Sequence, residues 1–159
     1  MGRMSKNLFL LIFLFLLIFK TELAISDCTI NATSINFGIY DSFSNIPSDT
    51  FGSITVNCTS DVGKANIAMG PSSASGTFNP RQMKESAGRD FLDYNIYTDG
   101  ARTVIFGDGT GGTTDIRLKR PPGKPKPWSE NITIYARIPP GQDVSQGSYS
   151  DLLTVSVDW

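Results

Sequence analysis

Histidine is absent from all 159 residues. That removes the commonest general base, the commonest metal ligand and every Ser-His or Cys-His nucleophile arrangement. No serine stands in a Gly-x-Ser-x-Gly turn. Residues 107–112, GDGTGG, lack the lysine and the following helix of a phosphate loop, and have too few acids for a calcium loop. They read as a turn. Asp90, Asp93, Asp99, Asp108 and Glu130 are the acids that a glycosidase pair would draw on. They fall near expected turns, where carboxylates are solvated. The expectation is a protein that is not an enzyme, with no metal and no cofactor.

The chemistry left is that of two thiols, Cys28 and Cys58. Their compartment is set by the first 26 residues. Arg3 and Lys6 precede an unbroken apolar run over 8–19, which is shorter than the roughly 20 residues of a comfortable membrane span. Ala24 and Ser26 then satisfy the small-x-small rule. Residues 1–26 are expected to be a cleaved signal peptide and 27–159 the mature domain, with no membrane span after cleavage; an uncleaved anchor is the rival reading. Outside the cytosol the two thiols are expected to pair rather than stay free. Loss of Arg3, Lys6, Lys20 and Glu22 takes 14 basic and 15 acidic residues to 11 and 14, a net charge of −3. That balance argues against nucleic acid as a partner.

The elements that must position these residues are short strands. Period-two alternation is expected over 28–32, 51–58, 64–69, 91–97, 131–138 and 147–159, with a further strand near 113–118. The phase slips between Ile30 and Ile35, which predicts a bulge or a strand that breaks and resumes. Pro80 marks 78–83 as an edge segment. Asp99-Gly100 predicts a tight hairpin turn within 91–106. Residues 119–127, KRPPGKPKP, are too rich in proline to pair. No stretch predicts a helix. The pattern is that of an all-β, antiparallel sandwich. Its final strand places Leu153, Val155 and Val157 on one face and is followed by nothing that would cover its edge, an exposure that calls for a partner. Arg117, Lys119, Arg120, Lys124 and Lys126 form a basic patch that is either a solvated loop or a contact for anionic surfaces.

Several pieces, in order, carry a resemblance. They are Cys28-Thr-Ile30, Ile35-Asn-Phe37-Gly38-Ile-Tyr40-Asp41, Gly52-Ser-Ile-Thr-Val-Asn-Cys58, Pro80-Arg81-Gln-Met83, Leu92-Asp-Tyr94-Asn95-Ile-Tyr97-Thr-Asp99, Phe106-Gly-Asp-Gly-Thr110, Ala136-Arg137-Ile-Pro139-Pro-Gly141-Gln142 and Gly147-Ser-Tyr149-Ser-Asp151. Together they resemble the spore coat protein U domain family, which includes subunits of archaic, Csu-like chaperone–usher pili. Residues 117–128 depart from it and look like a local insertion.

The resemblance implies an immunoglobulin-like sandwich lacking its last strand. A periplasmic chaperone fills the gap first, and the N-terminal extension of a neighbouring subunit replaces it at an outer-membrane usher, by β-strand addition. On that reading Leu153, Val155 and Val157 form one wall of an acceptor groove, and Ile30, Ile35 and Phe37 the other. A donor strand needs about ten residues at roughly 3.3 Å each. Cleavage after Ser26 leaves only Asp27 before Cys28, so this subunit is expected to accept a strand, to lend none, and to stand at a terminus or tip. The expected function is an exported structural and adhesive pilus subunit, at the cell surface after passage through the periplasm. The alternative is a self-sufficient, secreted spore-coat-type protein outside any fibre.

Overall fold

The computed structural model describes residues 27–59, 62–88, 90–123 and 127–159. The expected signal peptide, Lys124 and Lys126 therefore lie outside the described residues. Among those described there is no helix, and none long and apolar enough to cross a membrane.

Among the described residues, nine strands form two antiparallel sheets. In chain order they are β1 (Cys28–Ala32), β2 (Ser48–Cys58), β3 (Lys64–Met69), β4 (Arg81–Glu85), β5 (Phe91–Tyr97), β6 (Ile116–Lys119), β7 (Trp128–Ile138), β8 (Tyr149–Ser150) and β9 (Val155–Asp158). One sheet has the order β1-β2-β7-β5-β4-β8 and the other β6-β3-β9. Period-two alternation turns Ile54, Val56, Ile96, Ile134 and Ala136 of the first sheet toward Ala65, Ile67 and Met69 of the second, and all eight are buried. Burial of such side chains is worth about 1.5–3 kcal/mol each for the larger ones.

The two ends of the sandwich differ. At one, Cys28 pairs in register with Cys58 and Cys58 with Trp128, while Lys64 faces Lys119. We call this the disulfide end. Trp128 is buried there, its indole N–H donating to the Val62 carbonyl at 2.7 Å. At the opposite end β2 begins against the finish of β7, Ser48 facing Ile138. The loops 38–47 and 139–148 meet there, where the Tyr40 hydroxyl donates to the Pro139 carbonyl and accepts from the Gln142 N–H.

Several expectations change. The strand expected over 131–138 begins three residues earlier, because Trp128 fills the disulfide end of the core. Arg117 and Lys119 are not in a loop: they lie on β6, paired to β3. Residues 91–106 fold back as expected, with Phe106 N–H on the Ile96 carbonyl and Thr98 N–H on that of Val104. The turn is wider than Asp99-Gly100 alone, because the Asp99 carboxylate collects the N–H groups of Thr103 and Val104. Segment 78–83 contributes β4, whose outer side is covered partly by β8 and partly by Ser72, whose hydroxyl bridges Gln82 N–H and C=O. The final strand is two strands. Residues 149–150 extend the first sheet beside β4, and 155–158 extend the second beside β3.

Candidate functional site

The slip of phase after β1 has a local cause. Thr33 N–H still bonds the Ser53 carbonyl, but Ser53 N–H bonds the Thr33 hydroxyl at 2.8 Å instead of a backbone carbonyl. The side chain takes the place of a ladder carbonyl, so the chain leaves β2. Residues 34–37 then run along the rim of the sandwich, with Ile35 directly over Gly52. A Cβ at Gly52 would stand 2.9 Å from Ile35 Cγ1, so glycine is what lets this crossing lie close.

The last strands do the complementary thing. After β8 the chain passes from one sheet to the other over 151–154. Asp151 fixes that crossing: its Oδ1 accepts from Ser73 N–H (3.0 Å) and Ser73 Oγ (2.7 Å), and its Oδ2 from the Tyr94 hydroxyl (2.7 Å). Burial, and then the bond to Asp151, push the Tyr94 phenol well above its ordinary pKa, so it stays a donor. Beside it Arg81 is fully buried. Its guanidinium donates to the carbonyls of Gly70 (3.0 Å) and Phe106 (2.7 Å) and to Asn95 Oδ1 (2.8 Å), while burial lowers its pKa.

Between these two crossings lies a cleft of ≈ 350 Å3. Ile35 and Phe37 stand on one side, Leu153 and Val155 on the other, with Met83 and Tyr94 among the residues of its base. Ile35, Phe37, Leu153, Val155 and Met83 are only partly buried although their neighbours form the core. No strand among the described residues pairs with the outer edge of β9 or of β1. A second cleft of ≈ 670 Å3 continues toward the 38–47 end, sharing Ile35, Phe37, Met83 and Tyr149 with the first and bounded by Ile39 and Val144.

Four of the six expected groove residues thus line one cleft. Ile30 and Val157 do not. They pack on the core nearer the disulfide end, where β1 and β9 lie against each other. Sequence reasoning missed Met83 and Tyr94, which come from the expected edge segment and from a strand read as plain core. Their alternation was visible; their position under the gap was not.

Cys28 and Cys58 are disulfide-bonded, within one sheet and both buried. The basic residues divide. Arg117 is spent on Asp115 at 3.2 Å and Lys119 lies exposed on β6. Arg120 N–H bonds the Gly63 carbonyl, which holds the loop at the disulfide end. Four of the five acids accept from backbone N–H groups or a side-chain amide: Asp90 from Ser145 N–H, Asp93 from the Gln82 amide, Asp99 from Val104 N–H and Asp108 from Thr110 N–H. Those bonds, the one from Val104 N–H foremost, hold Asp99 below the usual carboxylate range.

Comparison with known proteins follows this geometry. The family described as the Spore Coat Protein U domain matches residues 17–156. The protein named Protein U of Myxococcus xanthus is 32% identical over 135 residues, covering 78% of this chain and 70% of that one. A chain in the crystal structure of the CsuC–CsuE chaperone–tip adhesion subunit pre-assembly complex, from the archaic chaperone-usher Csu pili of Acinetobacter baumannii, superposes with a TM-score of 0.59 at 23% identity. That match takes in 85% of this chain and 40% of the other, so this chain spans less than half of that neighbour's length. The P pilus rod subunit PapA gives a TM-score of 0.50 at 15% identity, over 82% of this chain and 97% of that one. The structural likenesses identify the fold as the immunoglobulin-like sandwich of pilins, and the match over most of the chain places it by descent: this protein belongs to the Spore Coat Protein U domain family.

Proposed function

We propose that this protein is an exported structural and adhesive subunit of a bacterial surface pilus, built by the chaperone–usher route, whose cleft accepts a β-strand from a partner. The observation that carries this reading is the pair of facing apolar walls, Ile35 and Phe37 against Leu153 and Val155, beside a β9 edge on which no strand of the described residues lies. A strand laid there gains main-chain hydrogen bonds, and its alternate side chains fill the cleft. Its successive partners are a periplasmic chaperone, an outer-membrane usher and a neighbouring subunit.

The protein accepts a strand and lends none, which assigns it a terminal or tip position. This follows from cleavage after Ser26, since β1 starts at Cys28 and Asp27 N–H is already bonded to Thr59. N-terminal sequencing of the exported form is expected to begin at Asp27. A start before residue 20 supplies a strand and removes the terminal assignment.

The acceptor reading is tested with a ten-residue peptide of alternating large apolar and threonine residues, added to the purified chain. The expected result is a Tm raised by about 5 °C or more, corresponding to roughly 1 kcal/mol, with no shift from a peptide of the same composition in scrambled order. A chain that is stable and monomeric alone, and indifferent to both peptides, overturns it. That outcome instead favours a self-sufficient secreted coat-type protein.

A further inference from the structure

Among the described residues, five of the eight exposed large apolar side chains lie toward one end of this molecule; Val104, Leu152 and Trp159 lie elsewhere. Ile39 is 95% exposed, Phe43 92% and Ile46 74%, all on the loop 38–47; Phe51, at 72%, lies just inside β2, and Phe91, at 42%, opens β5. All five lie toward the end away from the disulfide. The loop is held in this shape. Asp41 Oδ1 accepts from Phe43 N–H at 2.9 Å, the Asp41 carbonyl from Ser44 N–H, and Ser44 Oγ from Ile46 N–H. Tyr40 pins the loop to Pro139 and Gln142. Fixed bonds that hold phenylalanine and isoleucine out in water mark a surface that is covered in use.

What covers it follows from direction. The chain runs from Tyr149 at the 38–47 end to Asp158 at the disulfide end. A strand that pairs with β9 antiparallel, the slightly stronger arrangement, runs the other way and finishes at the 38–47 end. If that strand precedes its own fold in sequence, the fold emerges beside Ile39, Phe43 and Ile46. The cleft that Ile39 borders is continuous with the groove through Ile35, Phe37 and Met83. We propose that the loop 38–47 is the seat for the body of the subunit that lends the strand, and that the disulfide end faces away from it. The proposal rests on the acceptor reading and adds a second, non-strand contact to it.

Among the described residues there is no free cysteine, so an introduced one is a unique thiol there. Phe43→Cys, Ile39→Cys, Lys64→Cys and Val155→Cys are each made in the full chain in its producing cells. Maleimide labelling rates are compared between cell-bound and purified protein. Val155→Cys reports the groove, Phe43→Cys and Ile39→Cys the seat, and Lys64→Cys the opposite end. The expected result is that the groove and seat thiols label about tenfold slower or more when cell-bound, with Lys64→Cys unchanged within about twofold. A protected groove with freely labelled Phe43→Cys and Ile39→Cys overturns the seat and leaves the acceptor reading standing. A protected groove with Lys64→Cys protected instead means a parallel strand with its body at the disulfide end, which also overturns it. A groove thiol that labels at the purified rate sinks the acceptor reading, and the seat with it.

Discussion

Arg81 is the largest fully buried side chain described, and no carboxylate of the described residues forms an ion pair with it; its hydrogen bonds go to carbonyls and an amide. A buried cation is tolerated here because three elements need a donor at one point: Gly70 after β3, Phe106 before the 107–112 turn, and Asn95 on β5. Arg81→Met removes all of those donors at once and strands buried acceptors. The expected cost is about 3–5 kcal/mol, read from the urea midpoint, and Arg81→Lys does not restore it because one ammonium cannot reach what a fork spans. Loss of the Cys28–Cys58 bond by a double serine substitution has an expected cost of about 3–4 kcal/mol from the loop of 30 residues it closes. Asp49 gives a pH-dependent contribution. Its hydrogen bonds from Arg137, at 2.7 and 2.8 Å, hold its pKa down. A depressed carboxylate stabilises above its unfolded value of about 3.9 and loses that stabilisation as pH falls through the lower folded value. Asp49→Asn is therefore expected to cost up to about 1 kcal/mol at pH 7, the pair being partly exposed, and nothing near pH 2. A cost that persists at pH 2 rules the ion pair out as its source.

The sheet edges show how an element is made receptive. β6 presents Arg117 and Lys119 along its length, a common defence of an exposed edge. β9, Val155–Asp158, has no lysine, arginine or proline, and its one acid comes last. That undefended edge lies beside the cleft, and the edge of β1, Cys28–Ala32, likewise carries no charge or proline. Val155→Lys places a charge in that cleft, with the expected result that the purified chain becomes less prone to aggregate and loses its Tm response to the alternating peptide; a retained response refutes the placement. Gly52→Ala tests the other wall. The added Cβ pushes Ile35 toward the cleft, so peptide affinity is expected to fall several-fold, while stability changes by about 1 kcal/mol or less. Much of this was legible in the sequence. Strand periods and the disulfide partners follow from alternation and compartment, while the four residues that line the cleft were expected there only through the family resemblance. Three things were not. That Thr33 lends its hydroxyl to the ladder depends on a partner strand. That 147–159 serves two sheets depends on Asp151 meeting Ser73 and Tyr94, 78 and 57 residues away. That Ile30 and Val157 leave the groove depends on β1 and β9 converging at the disulfide end, which no local pattern records.

At the scale of the molecule the two ends carry different chemistry, and the cations at the disulfide end, which share it with Asp27, Glu130 and Asp158, have their own test. Lys64 and Lys119 stand directly opposite each other across β3 and β6, and Arg120 follows them beside Gly63. Like charges directly opposed in a sheet cost about 0.2–1 kcal/mol. Their direct opposition is therefore unfavourable for folding alone. On the proposed terminal position, with the apolar end covered by a neighbour, these cations face outward, toward whatever surface is met first. Lys119→Gln with Arg120→Gln, extended to Lys124 and Lys126 in the adjoining stretch, then has two effects of opposite sign. Folding stability rises slightly or holds, and attachment of cells to anionic surfaces falls several-fold at low ionic strength. The difference between wild type and variant closes near 1 M salt, where the screening length is about 3 Å. Attachment assays on washed cells across a salt series, beside a urea midpoint on the purified proteins, read both. Unchanged attachment at low salt returns the loop to the role of a solvated turn, and a loss that survives high salt assigns the attachment to something other than charge.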